Sequence, residues 1–241
     1  STFVASRIGE EKEFLASTDM WCRPVNLYIG PDGALYVVDY YREIIEHPEW
    51  LSDDVINSGR LYNGQDMGRI FRVSRTDAAP PAWTKGLALG RATDEQLVER
   101  LAEPNIWWRR NAQRMLLDRK AAAVVRSLAK MAADHGSSVG RLHALWTLEG
   151  LGALGTETIE KALGDSEAGV RVNAIKLAEL HLKEAPSLAK RLMGVQDDPD
   201  VKVRFQLLCT LGFIDSPEAA EVRNKLLFRD VDDEFVQVAA L

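Results

Sequence analysis

A repeated arginine register constrains the fold more than any other feature of this sequence. Trp108-Arg109-Arg110-Asn111-Ala112, Gly140-Arg141-Leu142-His143-Ala144, Val170-Arg171-Val172-Asn173-Ala174 and Val203-Arg204-Phe205-Gln206-Leu207 share one frame, and Phe235-Val236-Gln237-Val238-Ala239 keeps its apolar positions without the arginine. The steps from 109 to 141, 171, 204 and 236 are 32, 30, 33 and 32 residues. Stacked helix pairs produce such a period, and a single globular core does not. The fold class expected is therefore mainly α, with a solenoid of about five helix pairs over residues 93–241.

Local signals place the helices. Thr93-Asp94-Glu95-Gln96 is a capping box, opening a helix whose Leu97, Val98 and Leu101 face Trp108, Ala112 and Met115 of its partner. In the second pair Val124, Leu128 and Met131 oppose Ala144, Leu148 and Leu151, and glycines 150, 152 and 155 end it. Val170, Ala174 and Leu177 repeat the frame in the third pair; Leu188, Leu192 and Val195 oppose Val203, Leu207 and Leu211 in the fourth. Ser216 as N-cap with Pro217 in the first turn opens the fifth. Period, two helices per unit and arginine register together resemble HEAT repeats.

Residues 1–76 read differently. Val25–Ile29 and Ala34–Val38 flank Gly30-Pro31-Asp32-Gly33, where proline presets φ and glycine supplies a positive φ, so a β-hairpin is expected. Phe3-Val4-Ala5 is a weaker strand candidate, and Arg69–Val73 a third strand beyond a charged insertion from about Tyr40 to Met67. Residues 77–92, with Asp77-Ala78-Ala79-Pro80-Pro81-Ala82, read as a linker. So few strands leave sheet edges open and a face unburied. A start at Ser1, without methionine, and a last helix that stops at Leu241 point to a piece of a longer chain.

The run from Trp21-Cys22-Arg23-Pro24 through Gly30-Pro31-Asp32-Gly33 to Asp39-Tyr40-Tyr41-Arg42-Glu43-Ile44-Ile45-Glu46-His47-Pro48 resembles the last propeller blade of a bacterial family known as membrane-bound dehydrogenase-like or haem-binding proteins. Trp107-Trp108-Arg109 and Leu142-His143-Ala144-Leu145-Trp146-Thr147-Leu148-Glu149-Gly150-Leu151-Gly152 resemble that family's HEAT segment. The resemblance implies a β-propeller similar to glucose/sorbosone dehydrogenases, then HEAT repeats and commonly a c-type cytochrome domain. It also implies an exported or periplasmic setting. Related sugar dehydrogenases bind pyrroloquinoline quinone and calcium across several blades, whereas this chain has material for about one. It is therefore expected to carry no cofactor and to be non-catalytic by itself.

Charge and cysteine content narrow the function classes. With 30 Lys and Arg against 36 Asp and Glu the formal charge is -6, which argues against a nucleic-acid surface. Cys22 and Cys209 stand in different expected domains, and neither begins a Cys-x-x-Cys-His haem attachment. No apolar run reaches the ~18 residues of a membrane helix.

The candidate functional residues fall into three groups. Arg109, Arg141, Arg171 and Arg204 form either an anion-binding ladder or a structural one. The acids Glu103, Asp134, Asp165 and Asp198, six or seven residues before each, favour the structural reading, as does Asp230 six before Val236. His143, Trp146 and Glu149 share a second helix, either as a partner-binding surface or as packing residues. Arg23, Asp39, Tyr41, Arg42, Glu46 and His47 gather around the strand ends and the insertion, where binding groups commonly lie. The acid runs Asp197-Asp198-Pro199-Asp200 and Asp230-Val231-Asp232-Asp233-Glu234 lack EF-hand spacing and suit helix N-caps better than a metal. Two functions compete: a scaffold that engages a protein partner or other domains of a larger dehydrogenase-like protein, and part of a quinoprotein sugar dehydrogenase whose other blades supply the active site.

Overall fold

The computed structural model describes residues 3–77 and 88–239. Residues 78–87 of the expected linker lie outside them. The chain is mainly α, with a small antiparallel sheet near its start. It divides into two compact units: residues 7–77 with Asn105–Trp107, and residues 3–6, 88–104 and 108–239.

The first unit holds β1 (Pro24–Ile29), β2 (Leu35–Asp39) and β3 (Arg69–Val73), hydrogen-bonded in that order. The β1–β2 turn closes as Gly33 N–H donates to the Gly30 carbonyl at 3.0 Å, with Gly33 at φ 78°, the left-handed residue that ends a three-residue hairpin loop. Antiparallel register sets Asp39 opposite Arg69 and Val37 opposite Phe71. Val37 is fully buried, yet every residue of β1 is exposed, Val25, Leu27 and Ile29 among them, and so are Ile70 and Phe71 of β3. The insertion folds into the short helix α1 (Asp53–Asn57) between the 3-10 turns Pro48–Trp50 and Arg60–Tyr62.

The second unit contains α2 (Asp94–Arg100) and most of α3 (Ile106–Asp118). Four further pairs follow: α4 (Val125–Asp134) with α5 (Ser138–Gly150), α6 (Thr156–Leu163) with α7 (Ala168–Leu180), α8 (Ser187–Met193) with α9 (Val201–Leu211), and α10 (Pro217–Arg229) with α11 (Glu234–Ala239). The capping box forms in full, Thr93 accepting from the Gln96 N–H and Gln96 accepting from the Thr93 N–H. Ser137, Asp200 and Ser216 cap α5, α9 and α10 in the same way, by accepting a first-turn N–H. First helices meet first helices, α2 with α4, α4 with α6 and α6 with α8; second helices likewise run α5, α7, α9, α11. One apolar core passes through the stack, from Leu97, Leu101 and Leu116 through Leu128, Leu145, Leu148 and Ile159 to Leu177, Leu188, Leu207 and Leu226. No pair buries its apolar face without its neighbours, the defining physics of a repeat stack.

One sequence expectation changes and one is extended. Phe3-Val4-Ala5 forms no strand; Phe3 belongs with the helices, its ring edge-on to Phe205 at 5.5 Å and Phe235 at 5.6 Å. An aromatic with no strand to pair with gains more from those rings than from an open sheet edge. In α3 Met115 packs partly buried against the core as expected, and Leu116, not singled out from sequence, is fully buried beside Ala112.

Candidate functional site

In the sheet unit the side chains converge on Asp39, 1% exposed at the end of β2. Its Oδ1 accepts the backbone N–H groups of Arg23 at 2.7 Å and Tyr41 at 3.0 Å, and its Oδ2 accepts Arg69 Nε at 3.0 Å. Burial by itself raises the carboxyl's pKa; the Arg23, Arg69 and Tyr41 donors and the Cys22 thiol outweigh it and hold Asp39 below the usual value. Tyr41, at φ 51°, is held in an uncommon conformation for a bulky residue. Its N–H is fixed by Asp39, and its ring stands under the Arg69 guanidinium, 4.4 Å from the centroid. The Tyr41 hydroxyl bonds to Asp19, which raises the tyrosine's pKa, and the Trp21 N–H together with that hydroxyl holds Asp19 below the usual carboxylate value. Arg23 donates to the Met20 and Glu43 carbonyls, and Arg42 to those of Tyr41 and Gly64.

Beside this cluster opens a cleft of about 540 Å³, lined by Met20, Cys22, Arg23, Asp39, Arg69 and Phe71 among others. Four of the six residues proposed from sequence therefore come together: Arg23, Asp39, Tyr41 and Arg42. Glu46 and His47 do not. Both are exposed, and His47 Nδ1 lies 3.8 Å from Glu49 on the surface. The partners that sequence reasoning missed are Asp19, Cys22 and Arg69; Arg69 was detectable only from the β2–β3 register. With its oxygens already accepting four donors, Asp39 has little capacity left to take a proton from a substrate. The cluster organises the strand ends more readily than it does acid–base chemistry.

In the helical unit the arginine ladder has a definite construction. Arg141, Arg171 and Arg204 each direct Nη1 at a carbonyl of the turn before their own helix, those of His135, Asp165 and Asp198 respectively. Each also grips both carboxylate oxygens of an aspartate one pair further on: Asp165 at 2.7 and 2.6 Å, Asp198 at 2.7 and 2.8 Å, Asp230 at 2.8 and 2.8 Å. Asp165 and Asp198 return to their own turns by accepting the N–H of Glu167 and Asp200. Burial pushes both carboxyls up, and their arginines and turn N–H groups bring them below the usual value.

Arg109 departs from this pattern. Its Nη1 reaches the Glu103 and Pro104 carbonyls like the others, but its buried Nε has no hydrogen-bond partner among the described residues. The acids expected nearby are engaged elsewhere, Glu103 with Arg100 and Asp134 with Lys161. The cause is register. The ladder takes its acid six residues before the next frame position, and six before Arg141 stands His135.

His143, Trp146 and Glu149 also join successive pairs. His143 Nδ1 lies 2.7 Å from Gln113 Oε1 on α3, Trp146 Nε1 donates to Asn173 on α7 at 2.9 Å, and Glu149 Oε2 meets His181 at the end of α7 at 2.7 Å. Glu179 extends the series by accepting the Thr210 hydroxyl on α9. Burial, with the charges of Arg109 and Arg110, lowers the His143 pKa to about 4. A titration followed by imidazole NMR is expected to show a midpoint near 4, and a midpoint near 6.5 would contradict the buried, cation-flanked setting. Because the unfolded chain holds that proton up to about 6.5, His143 favours folding fully above 6.5, and its contribution is lost as pH falls toward 4.

A wider groove of about 920 Å³ between α6 and α8 is lined by Glu157, Glu160, Lys161, Lys190 and Arg191, with Glu160 and Arg191 paired at 3.1 Å. Among the described residues no three His, Cys, Asp or Glu side chains gather as a metal-ligand set, and no helix is long and apolar enough to cross a membrane.

Fold and sites together define a stacked-helix protein with a small β unit, its polar residues used mainly as clamps. Residues 1–77 match a family described as a domain of unknown function (DUF7133); the match takes in the sheet unit and stops before the helix pairs. A comparison with the curated proteins finds no match.

Proposed function

We propose that this chain is a non-catalytic scaffold and protein-interaction segment of a larger, exported or periplasmic dehydrogenase-like protein, its helix pairs a HEAT-type solenoid. The observation that carries this reading is the use made of the polar residues. Arg141, Arg171 and Arg204, with His143, Trp146 and Glu149, spend their hydrogen bonds between successive helix pairs. Asp39 likewise spends its own on strand ends. Groups held this way stiffen a frame on which a protein partner or other domains of the parent chain dock. The test is direct: the chain, incubated with pyrroloquinoline quinone, calcium, glucose and a dye acceptor, is expected to retain no quinone and reduce no dye. Sugar-dependent dye reduction would overturn the scaffold reading.

The second reading makes the sheet one blade of a quinoprotein sugar dehydrogenase, with cofactor and catalytic groups on other blades. It draws on the exposed apolar residues of both edge strands, Val25, Leu27 and Ile29 on one side and Ile70 and Phe71 on the other, which call for further strands alongside. Under this reading quinone binding and dye reduction appear only when the rest of the propeller is present.

A further inference from the structure

We propose that the open rung at Arg109 is an acceptor site for a carboxylate supplied from outside the described chain. Three rungs of the ladder provide the template. In each, one edge of the guanidinium holds the turn before its helix, while Nε and Nη2 close on the two oxygens of one aspartate. Arg109 makes the first set of bonds, and its buried Nε is left without a hydrogen-bond partner among the described residues. It is only 9% exposed, and burial lowers its pKa with no anion to oppose the effect. A buried charged donor left without a partner is costly, and a planar fork fixed at one edge is preorganised for a bidentate carboxylate.

His135 stands where the other rungs place their acid. Its carbonyl takes Arg141 Nη1, as the Asp165 carbonyl takes Arg171, and its Nδ1 accepts the Ser137 N–H, as Asp165 accepts that of Glu167. It performs every local duty of the missing aspartate except supplying the anion. The ring is exposed and accepts the Ser137 N–H, so this position brings no carboxylate to Arg109. The surroundings favour an incoming anion. The Arg109 and Arg110 charges both act on His143, which is neutral at pH 7, and Glu103 and Asp134 are held by Arg100 and Lys161.

A free carboxylate ion and the Asp or Glu side chain of a partner share this chemistry. The experiment follows the Arg109 Nε–H signal of the full chain by NMR, assigned by its loss in Arg109→Lys, while sodium acetate or the peptide acetyl-Gly-Asp-Gly-amide is added at constant ionic strength against sodium chloride. A saturable shift with either probe, absent with chloride, is expected. Half-saturation by the peptide at a concentration at least tenfold below that of acetate identifies a partner's side chain as the source, and the reverse order identifies a free ion. His135→Asp, which supplies the missing carboxylate, is expected to weaken the response at least tenfold, and the uncharged His135→Asn to retain it. An Arg109 signal that neither probe moves, or that chloride moves equally, overturns the proposal. So does a His135→Asp protein that responds as the wild type does. None of these outcomes depends on the parent being dehydrogenase-like.

Discussion

Truncating Leu207 to alanine is expected to lower the free energy of unfolding by about 2 to 5 kcal/mol, and Leu148 to alanine by a similar amount. Both side chains are buried, at 0% and 1% exposure, in the one core shared by all the helix pairs. Leu207 lies on α9, which packs against α7, α10 and α11, so a cavity there has walls from three helices and little freedom to collapse. Because the stack stabilises each pair through its neighbours, the loss is felt on both sides of the truncated helix rather than within one pair. The measurement is urea unfolding monitored by circular dichroism, read as a lower midpoint. Phe213, 71% exposed just beyond α9, is the control, and its alanine variant is expected within about 0.5 kcal/mol of wild type. Costs under roughly 1 kcal/mol at both leucines would contradict the register on which the stack is built.

Those leucines were legible because a 3.6-residue period and a repeat of about thirty residues coincide on them. The hairpin was legible for another local reason, a turn whose glycine takes the positive φ the loop requires. What stayed hidden was set by distance along the chain. Asp39 meets Arg69 across thirty residues, and only the β2–β3 register brings them together. Phe3 misled because an apolar triplet at a chain start has no periodicity to distinguish a strand from an arm laid on helices. The missing rung was legible in principle. Asp165, Asp198 and Asp230 all stand six residues before the next frame position, and Asp134 stands seven before Arg141. Allowing six or seven hid the one register that failed, and it is the failure that leaves Arg109 available.

Removing the carboxylate at Asp198 is the sharpest test of the ladder itself. Asp198 is 7% exposed on its side chain and joins two rungs, gripping Arg171 through both oxygens while its carbonyl takes Arg204. Asp198→Ala leaves the Arg171 guanidinium, 12% exposed, without its anion, and also deletes the bond to the Asp200 N–H. Stranding a buried charge in this way is expected to cost about 3 kcal/mol. The pair as a unit is worth much less than that, since two apolar groups in its place are often neutral. Adding Arg171→Met to Asp198→Ala is therefore expected to recover a large part of the loss, and strict additivity of the two changes would show that they do not act as one rung. The pH dependence gives an independent check with a definite sign. Burial raises the Asp198 carboxyl, and the Arg171 bonds and the Asp200 N–H bring it below 3.8, so its contribution is complete above the unfolded value and disappears as pH falls through the lower folded one. Wild-type stability should decline as pH falls through and below the ordinary carboxylate range, and Asp198→Ala should flatten that decline while lying below wild type at pH 7. An unchanged acid limb together with a loss under roughly 1 kcal/mol at pH 7 would mean that the apolar seams hold the stack and the arginines only decorate it.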